Sequence, residues 1–423
     1  MIDTIFALSS GAAPAGIGVI RVSGPHAFAA VARIAGSVPP ARTARVRALR
    51  DADGALLDRA LVLAFPGPAT ATGEDLAELH CHGGRAVIAA VLRVLGEQPG
   101  LRPALAGEFT RRALTNGRID LAEAAGLADL LSADTERQRV AALAAAEGIV
   151  SQRVRGWLDR LAMLAALTEA QLDFADEEDV GDDHMAAVRD GRRALAAELS
   201  AVLDAPPVER LRDGVQVVLA GPPNSGKSTL INLLSQREVA IVSPIAGTTR
   251  DRIEATVTRA GLVYVLTDTA GLTESIDPIE RIGVSRAEGS IAAADLLLWL
   301  GDDAPPRPDA LWVQARSDAP GRVVITGADV AVAQGDAVSI ETLWRAIAAR
   351  AEKLMPRGDA IAFRETERSI CRIALAAIEQ DETDALIVAE QLRLAIRALG
   401  GILGVDATEV MLDTLFGRFC IGK

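Results

Sequence analysis

The chain has 423 residues, of which 50% are hydrophobic and only 3% aromatic, and its formal net charge at pH 7 is −13. This length exceeds what one hydrophobic core supports, so two or three domains are expected. The acidic balance argues against a large basic nucleic-acid footprint; an RNA substrate would need charge from a partner or a local basic patch that the total conceals. No stretch of about 20 apolar residues predicts a membrane span. The N-terminus has no basic signal-peptide region and the three cysteines suggest no disulfide framework, so we predict a soluble, cytoplasmic protein.

The N-terminal part, to about residue 118, reads as mixed α/β. Residues 17–22 and 60–65 are typical of strands, and residues 86–95 predict a helix. From about residue 119 the pattern becomes helical, with an Ala/Leu-rich run to about residue 174. This change of pattern predicts a domain boundary near residue 118.

A second helical run covers about residues 185–203 and ends before Pro206-Pro207. A segment with nucleotide-binding motifs follows, from about residue 213 to residue 354. After Met355-Pro356 the sequence is helical again. Helical sequence on both sides of this segment predicts that it is inserted into a helical domain.

The stretch Gly221–Ser228 fits the phosphate-binding pattern G-x-x-x-x-G-K-[ST] at every required position. A buried strand is predicted over residues 215–220, and an apolar helix opens at residues 229–234. In such a loop, backbone N–H groups and the helix N-terminus surround the phosphates. Lys227 is predicted to reach the β- and γ-phosphates, and the Ser228 hydroxyl to ligate Mg²⁺.

Two further motifs follow in the order that a GTPase switch requires. Thr249, within the run Gly247–Asp251, is predicted to supply a second hydroxyl to Mg²⁺, and Asp268 opens a D-x-x-G motif after a predicted strand. Leu272 stands where Ras-like proteins carry the glutamine that orients the attacking water. Hydrolysis is therefore either very slow or assisted by another group.

Over nearly its whole length the chain resembles the MnmE (TrmE) family of tRNA-modifying GTPases. The C-terminal Cys420-Ile421-Gly422-Lys423 is similar to the family's C-[ILV]-G-K ending. Further matches are Gly18–Gly24, Thr72–Glu78, His82–Gly84, Gly107–Thr110 and the acidic run Asp173–Glu178.

This resemblance implies a multidomain fold, α/β plus all-α. It predicts an N-terminal α/β domain that binds a tetrahydrofolate and dimerises (1–118), a helical domain in two segments (119–210 and 356–423) and an inserted Ras-like P-loop GTPase domain (211–355). It also implies a homodimer that joins an FAD-dependent MnmG-type partner in a heterotetramer. Together they modify C5 of the wobble uridine of certain tRNAs with an aminomethyl or carboxymethylaminomethyl group. The implied one-carbon donor is 5-formyl- or 5,10-methylene-tetrahydrofolate.

The resemblance assigns site residues by position. Arg21, Glu78, Arg118 and Lys423 fall where the family contacts folate; Arg118 replaces the usual lysine, which keeps the charge but changes the geometry. Cys420 matches a cysteine linked to the modification reaction, although a free cysteine is more often a small buried hydrophobe.

For the nucleotide site, the resemblance implies a K⁺ ion that takes the place of an arginine finger. Its implied ligands are Asn224, Ser243, Ile245 and Thr248, and Glu280 matches a catalytic acid that orients the water. The residues assigned to GTP are Asn224, Ser225, Gly226, Lys227, Ser228, Thr229, Ser243, Pro244, Ile245, Ala246, Gly247, Thr248, Thr249, Asp268, Thr269, Ala270, Gly271 and Asp318.

The guanine-recognition motif departs from the family pattern N-K-x-D. The aligned segment is Ala315–Asp318, which keeps Asp318 but has lost the asparagine, and the later element near Ala331–Ala333 is also degraded. We therefore expect weak GTP binding with modest discrimination against ATP.

Two alternatives remain open at this stage. A regulatory GTPase switch of the ribosome-assembly type would perform no covalent chemistry, but it leaves the N-terminal domain and the C-terminal tail unexplained. A scaffold that has lost GTPase activity would account for the damaged guanine motif. The intact Lys227, Ser228, Thr249 and Asp268 argue against the scaffold.

Overall fold

The computed structural model describes residues 3–173, 182–235, 254–269, 289, 291–356, 361–405, 412, 415–417, 419 and 421–422. The chain forms two compact units. The first contains Met1–Leu131, Ala144–Met163 and Ile396–Lys423, and the second contains Ser132–Leu143 and Leu164–Ala395. Among the described residues, no helix has both the length and the apolar character needed to cross a membrane.

The first unit is built on a six-stranded sheet with the order β3-β4-β5-β2-β1-β6. Its strands are β1 (Thr4–Leu8), β2 (Ile17–Ser23), β3 (Arg45–Arg50), β4 (Leu56–Phe65), β5 (Leu76–His82) and β6 (Leu101–Pro103). The β6 strand runs parallel to β1, whereas the other neighbouring pairs are antiparallel. The sheet therefore has two chemically different faces, because side chains alternate along each strand.

Helices α1 (Ala27–Ala35) and α2 (Arg85–Gly96) cover one face of this sheet, where the main core of the unit lies. On the other face, α3 (Glu108–Thr115) places Phe109 against Ile5 and Ala7. Further along this face, Arg21, Glu78 and His80 are half-buried. The fold thus leaves a polar, partly open surface on one side of the sheet.

The Ala/Leu-rich run from about residue 119 to about residue 174 forms three helices, and the second helical run forms one. They are α4 (Leu121–Leu131), α5 (Glu136–Ala146), α6 (Ile149–Asp173) and α7 (Asp182–Asp204). At the start of α5, the Gln138 side chain accepts hydrogen bonds from the N–H groups of Asp134 and Thr135, which precede the helix. Between α5 and α6, Gly148 has a φ of 84°. Side-chain capping and a left-handed glycine both end helical continuation.

Two antiparallel helices, α7 and α11 (Glu365–Ile378), connect the segments on either side of the nucleotide-binding domain. In α7, the buried Arg192 donates to the carbonyls of Ile378 and Gln380 at 3.1 and 2.5 Å, where α11 ends. In α11, the buried Arg368 donates to Leu203 O at 2.7 Å, where α7 ends. Each helix therefore caps the other's C-terminal carbonyls with a cation, which also suits the negative end of the helix dipole.

The chain enters and leaves the nucleotide-binding domain at one place. The Val208 N–H donates to Phe363 O at 3.1 Å, and the Glu365 N–H donates to Glu209 Oε1 at 2.9 Å. Because these contacts join residues more than 150 positions apart, they close the intervening chain into a domain inserted between two helical segments. Further helices among the described residues are α8 (Glu209–Asp213), α9 (Lys227–Ser235), α10 (Ala337–Glu352) and α12 (Ala385–Gly400).

A second six-stranded sheet forms the inserted domain, with the order β12-β11-β10-β7-β9-β8. Its strands are β7 (Val215–Ala220), β8 (Glu254–Arg259), β9 (Leu262–Asp268), β10 (Leu296–Trp299), β11 (Leu311–Ala315) and β12 (Val330–Val332). All neighbouring pairs are parallel except β8 with β9. Near-continuous burial of β7 and β9 is typical of a parallel sheet covered on both faces.

Arg192→Met should loosen the pairing of α7 and α11, because it leaves buried carbonyls at the end of α11 without their donor. We expect the free energy of local opening of α11 to fall by about 1–3 kcal/mol, measured by amide hydrogen exchange. Arg193→Met is the matched control, since the Arg193 side chain is 74% exposed and, within the described part of the chain, pairs only with Asp190. Equal protection of α11 in both variants would contradict the capping role of Arg192.

Candidate functional site

The phosphate loop lies at the point where the strand order of the inserted sheet reverses. Strand β7 sits between β9 and β10, and both neighbours run parallel to it. In open parallel sheets, connections from such a central strand diverge and leave a crevice at its carboxyl end. The Gly221–Ser228 loop follows β7 directly and leads into α9, as its sequence predicts.

Backbone geometry explains the glycines of this loop. Gly221 and Gly226 have φ values of 152° and 97°, in the region that L side chains rarely adopt. A Cβ atom added at Gly221 would also lie 3.0 Å from the carbonyl carbon of Leu300. Asn224, the predicted K⁺ ligand, adopts a left-handed conformation with φ of 61°, which asparagine tolerates better than most residues.

The Lys227 ammonium is 5% exposed and donates to Gly221 O at 3.0 Å and Pro222 O at 2.8 Å. Burial lowers the pKa of Lys227, and the nearby Asp268 carboxylate only partly opposes this. A buried cation held by neutral carbonyls is under-compensated. The site therefore favours an anion, and the phosphates of a nucleotide supply one.

Ser228 and Asp268 form the oxygen-rich side of the site. The Ser228 hydroxyl donates to Asp268 Oδ2 at 2.5 Å, and Asp268 is 1% exposed at the end of β9. Next to it, the Thr269 hydroxyl donates to Leu219 O at 2.9 Å, which fixes the end of β9 against β7. A hydroxyl beside a carboxylate is a donor set that fits Mg²⁺.

Ser225 adds a further observation within the phosphate loop. Its hydroxyl is buried and has no hydrogen-bond partner among the described residues. A buried polar atom without a partner costs free energy, so such groups usually meet a ligand or water. The contact of Ser225 with GTP stays a prediction.

The segment aligned with the guanine motif lies beside the phosphate loop. Arg316 has φ of 56° and donates to Asn224 O at 3.4 Å, and its aliphatic stem lies within 3.7 Å of a Cβ added at Gly226. Ala315 is buried, and its Cβ lies 3.8 Å from a Cβ added at the same glycine. Asp318 is exposed and free to meet a base. A longer polar side chain at position 315 would reach the loop, which alanine does not.

Several predicted site residues lie outside the described part of the chain. For the nucleotide these are Ser243, Pro244, Ile245, Ala246, Gly247, Thr248, Thr249, Ala270, Gly271 and Glu280, and for the tail they are Cys420 and Lys423.

In the first unit, Arg21 and Glu78 face each other across β2 and β5. Arg21 Nη2 lies 3.1 Å from Glu78 Oε1, and His80 Nε2 lies 3.2 Å from the other carboxylate oxygen. The Arg21 guanidinium also lies 5.7 Å from the centroid of the Phe109 ring. Arg21 is therefore not a free cation: it and His80 orient the Glu78 carboxylate, which is 19% exposed.

Arg118 is held elsewhere by its own contacts. Its Nε donates to Thr70 O at 3.1 Å, and its stem lies against Gly73, where a Cβ would come within 3.2 Å. The C-terminal tail does reach the sheet: Ile421 bridges to Ala106, and a Cβ added at Gly422 would lie 2.1 Å from Leu8 O. The described contacts join Arg21 to Glu78 but do not join Arg118 to that pair.

Sequence reasoning missed His80 and Phe109 as members of this cluster. The alternation of side chains along β5 puts Glu78, His80 and His82 on one face, so the spacing did contain a signal for His80. Phe109 lies on α3, and only the tertiary fold brings it to Arg21.

The reversed strand order, the phosphate loop and the Lys227–Ser228–Asp268 cluster define a P-loop GTPase domain, carried between helical segments and joined to an N-terminal α/β domain. The profile described as "GTP-binding protein TrmE N-terminus" matches residues 4–118, and that of the "MnmE helical domain" matches residues 121–420. The chain belongs to the MnmE (TrmE) family of tRNA modification GTPases.

Full-length relatives agree with this assignment. The tRNA modification GTPase MnmE of Erythrobacter litoralis is 53% identical over 100% of both chains. That of Rhizorhabdus wittichii is 54% identical over 100% of this chain and 97% of its own, and that of Sphingopyxis alaskensis is 50% identical over 96% and 100%. The family resemblance and the fold class predicted from the sequence are both confirmed.

Ala315→Asn should tighten GTP binding and leave ATP binding nearly unchanged. The new amide is expected to bond to the phosphate loop beside Gly226 and to the guanine edge, which is worth roughly 0.5–1.5 kcal/mol, or about 2- to 13-fold in affinity. Displacement of a fluorescent nucleotide by GTP and by ATP measures the dissociation constant of each nucleotide. Ala319→Asn, one residue beyond Asp318, is the control. Equal tightening for both nucleotides would show that position 315 does not discriminate the base.

Proposed function

We propose that this protein is a K⁺-dependent GTPase that acts with an FAD-dependent MnmG-type partner to modify C5 of the wobble uridine of certain tRNAs. A homodimer and a folate-derived one-carbon unit complete the proposal. The observation that carries it is the buried Lys227 beside Ser228 and Asp268, in a chain of this family.

Each residue of the phosphate site has a role that follows from its contacts. Bound Mg²⁺ would neutralise charge that develops on the β- and γ-phosphates, with Ser228 and Asp268 as the described residues that hold it. Lys227 exchanges its carbonyl partners for phosphate oxygens, which offsets the desolvation of its ammonium. The loop glycines bring backbone N–H groups to the same phosphates.

Leu272 orients no water, so the chain needs another source of catalysis. We assign the positioning of the water to Glu280 and the ligation of K⁺ to Asn224 with Ser243, Ile245 and Thr248, following the family pattern. The left-handed backbone of Asn224 supports a special role at that position. Equal hydrolysis rates in K⁺ and Na⁺ at matched ionic strength would refute the K⁺ assignment.

For the folate we assign the open sheet face that carries Glu78. Its carboxylate is held from one side by Arg21 and from the other by His80, so its remaining lone pairs point to a fixed place. A pterin presents an amino group and ring N–H donors, which suit an oriented carboxylate. Arg118, Lys423 and Cys420 complete the site in this proposal, with Cys420 linked to the covalent step.

The decisive experiment is mass spectrometry of wobble uridine in tRNA from a strain that lacks the gene. Expression of the unsubstituted chain should restore the modified nucleoside, and the Lys227→Met variant should not. If the nucleosides are unchanged by the deletion, the protein is a regulatory GTPase switch without a role in this modification.

Glu78→Gln should weaken the binding of 5-formyltetrahydrofolate by about 1–3 kcal/mol, because it removes a charged acceptor. Calorimetry on folded, folate-free protein measures the loss. Glu97→Gln is the matched control, since Glu97 is an exposed carboxylate paired with Arg93 on α2. Equal affinity in the two variants would remove Glu78 from the folate site.

A further inference from the structure

The acidic chain contains one strongly basic segment. Residues 41–50 include four arginines and no acidic residue, although the whole chain carries a formal charge of −13. The segment forms β3 and the residues before it, and Arg59 on β4 stands opposite Ala48 of β3. The cluster, here called the β3 arginine patch, consists of Arg42, Arg45, Arg47, Arg50 and Arg59.

No described carboxylate forms an ion pair with any member of the β3 arginine patch. Arg42 donates to Ala69 O and lies 5.7 Å from the Phe65 ring, and Arg50 donates to Gly54 O at 2.7 Å. In the same unit, Arg102 and Arg112 each contact two or more carboxylates. The positive charge of the patch is therefore directed to solvent and is not neutralised by described carboxylates of the protein.

Two carboxylates beside the patch, those of Asp51 and Asp58, are engaged locally, and the exposed Asp53 carboxylate forms no described ion pair with an arginine. Asp51 accepts from the N–H groups of Asp53 and Ala55, which shapes the turn between β3 and β4. Asp58 accepts from the ring and the backbone of His82 at 2.7 and 2.8 Å. Neither carboxylate neutralises the arginines beside it.

The position of β3 makes the patch accessible. It is the last strand of its sheet, so one side of its backbone has no neighbouring strand among the described residues. Arg45 and Arg47 lie about 7 Å apart on one face of the sheet, whereas Arg59, opposite Ala48, lies on the other face. Four of the five arginines are exposed, and Arg47 is half-buried. Regularly spaced cations beside the free N–H groups of an edge strand suit a ligand with repeated negative charges.

We propose that the β3 arginine patch binds the phosphate backbone of the tRNA substrate. This inference rests on the proposed function, which supplies the RNA, and it locates on the N-terminal sheet the basic surface that the net charge conceals. The contact is independent of base sequence, because arginines on an edge strand meet phosphates rather than base edges. The simpler structural role for the same residues is to prevent edge-to-edge pairing of sheets.

The test compares tRNA binding by the full chain and by the variant Arg45→Gln/Arg47→Gln/Arg50→Gln over a range of salt concentrations. Loss of three phosphate contacts should weaken binding about 10- to 100-fold at low salt and reduce the slope of log K against log salt by about 2–3. The control Arg93→Gln/Arg139→Gln/Arg193→Gln removes the same charge from exposed ion pairs elsewhere. It should bind tRNA nearly as the unsubstituted chain does.

A circular-dichroism spectrum and a thermal unfolding midpoint equal to those of the unsubstituted chain show that each variant is folded. Equal weakening in the patch variant and the control would reduce the effect to net charge and overturn the inference. Unchanged tRNA binding together with self-association in light scattering would assign the arginines to edge protection, which also overturns it. Failure of the unsubstituted chain to bind tRNA at low salt would overturn the inference, and the wobble-uridine measurement would then decide separately whether the proposed function stands.

Discussion

The inserted nucleotide-binding domain depends on one constraint: the chain must leave the helical segments that flank the domain and return to them at the same place. Arg192 and Arg368 meet this constraint, because each caps the C-terminal end of the helix that carries the other, and the Val208–Phe363 hydrogen bond joins the two connecting segments. Buried guanidinium groups are costly, but here each satisfies carbonyls that would otherwise be unpaired. The insertion is thus stabilised by polar groups as well as by apolar packing.

In both candidate sites, the role of a charged side chain depends on how its charge is already compensated, and the two sites differ in this respect. In the phosphate loop, Lys227 is buried against neutral carbonyls, so its charge remains available to an anion. On the N-terminal sheet, Arg21 already has a carboxylate, so the pair fixes the direction of Glu78 rather than offering a cation. A charged residue's role therefore follows from what already compensates it.

The net charge of −13 is also a poor guide to the surface of the first unit, because salt screens charges from one another beyond about 8–10 Å and their effect is therefore local. Much of the first unit's basic content lies in ion pairs, as at Arg102 and Arg112. The β3 arginine patch differs because the nearby Asp51 and Asp58 are engaged in the turn and with His82.

The sequence alone determined the phosphate loop, the strand and helix that flank it, the family and the mixed fold class. These features rest on local spacing, which a linear pattern retains. It did not reveal the breaks between α4, α5 and α6, because an Ala/Leu-rich pattern suits one helix or three. Only the tertiary structure decided that Arg21 is neutralised by Glu78, that His80 and Phe109 join them, and that Arg192 and Arg368 hold the insertion. Those contacts link residues far apart in the chain, and no local propensity encodes which distant partner a charged side chain will meet.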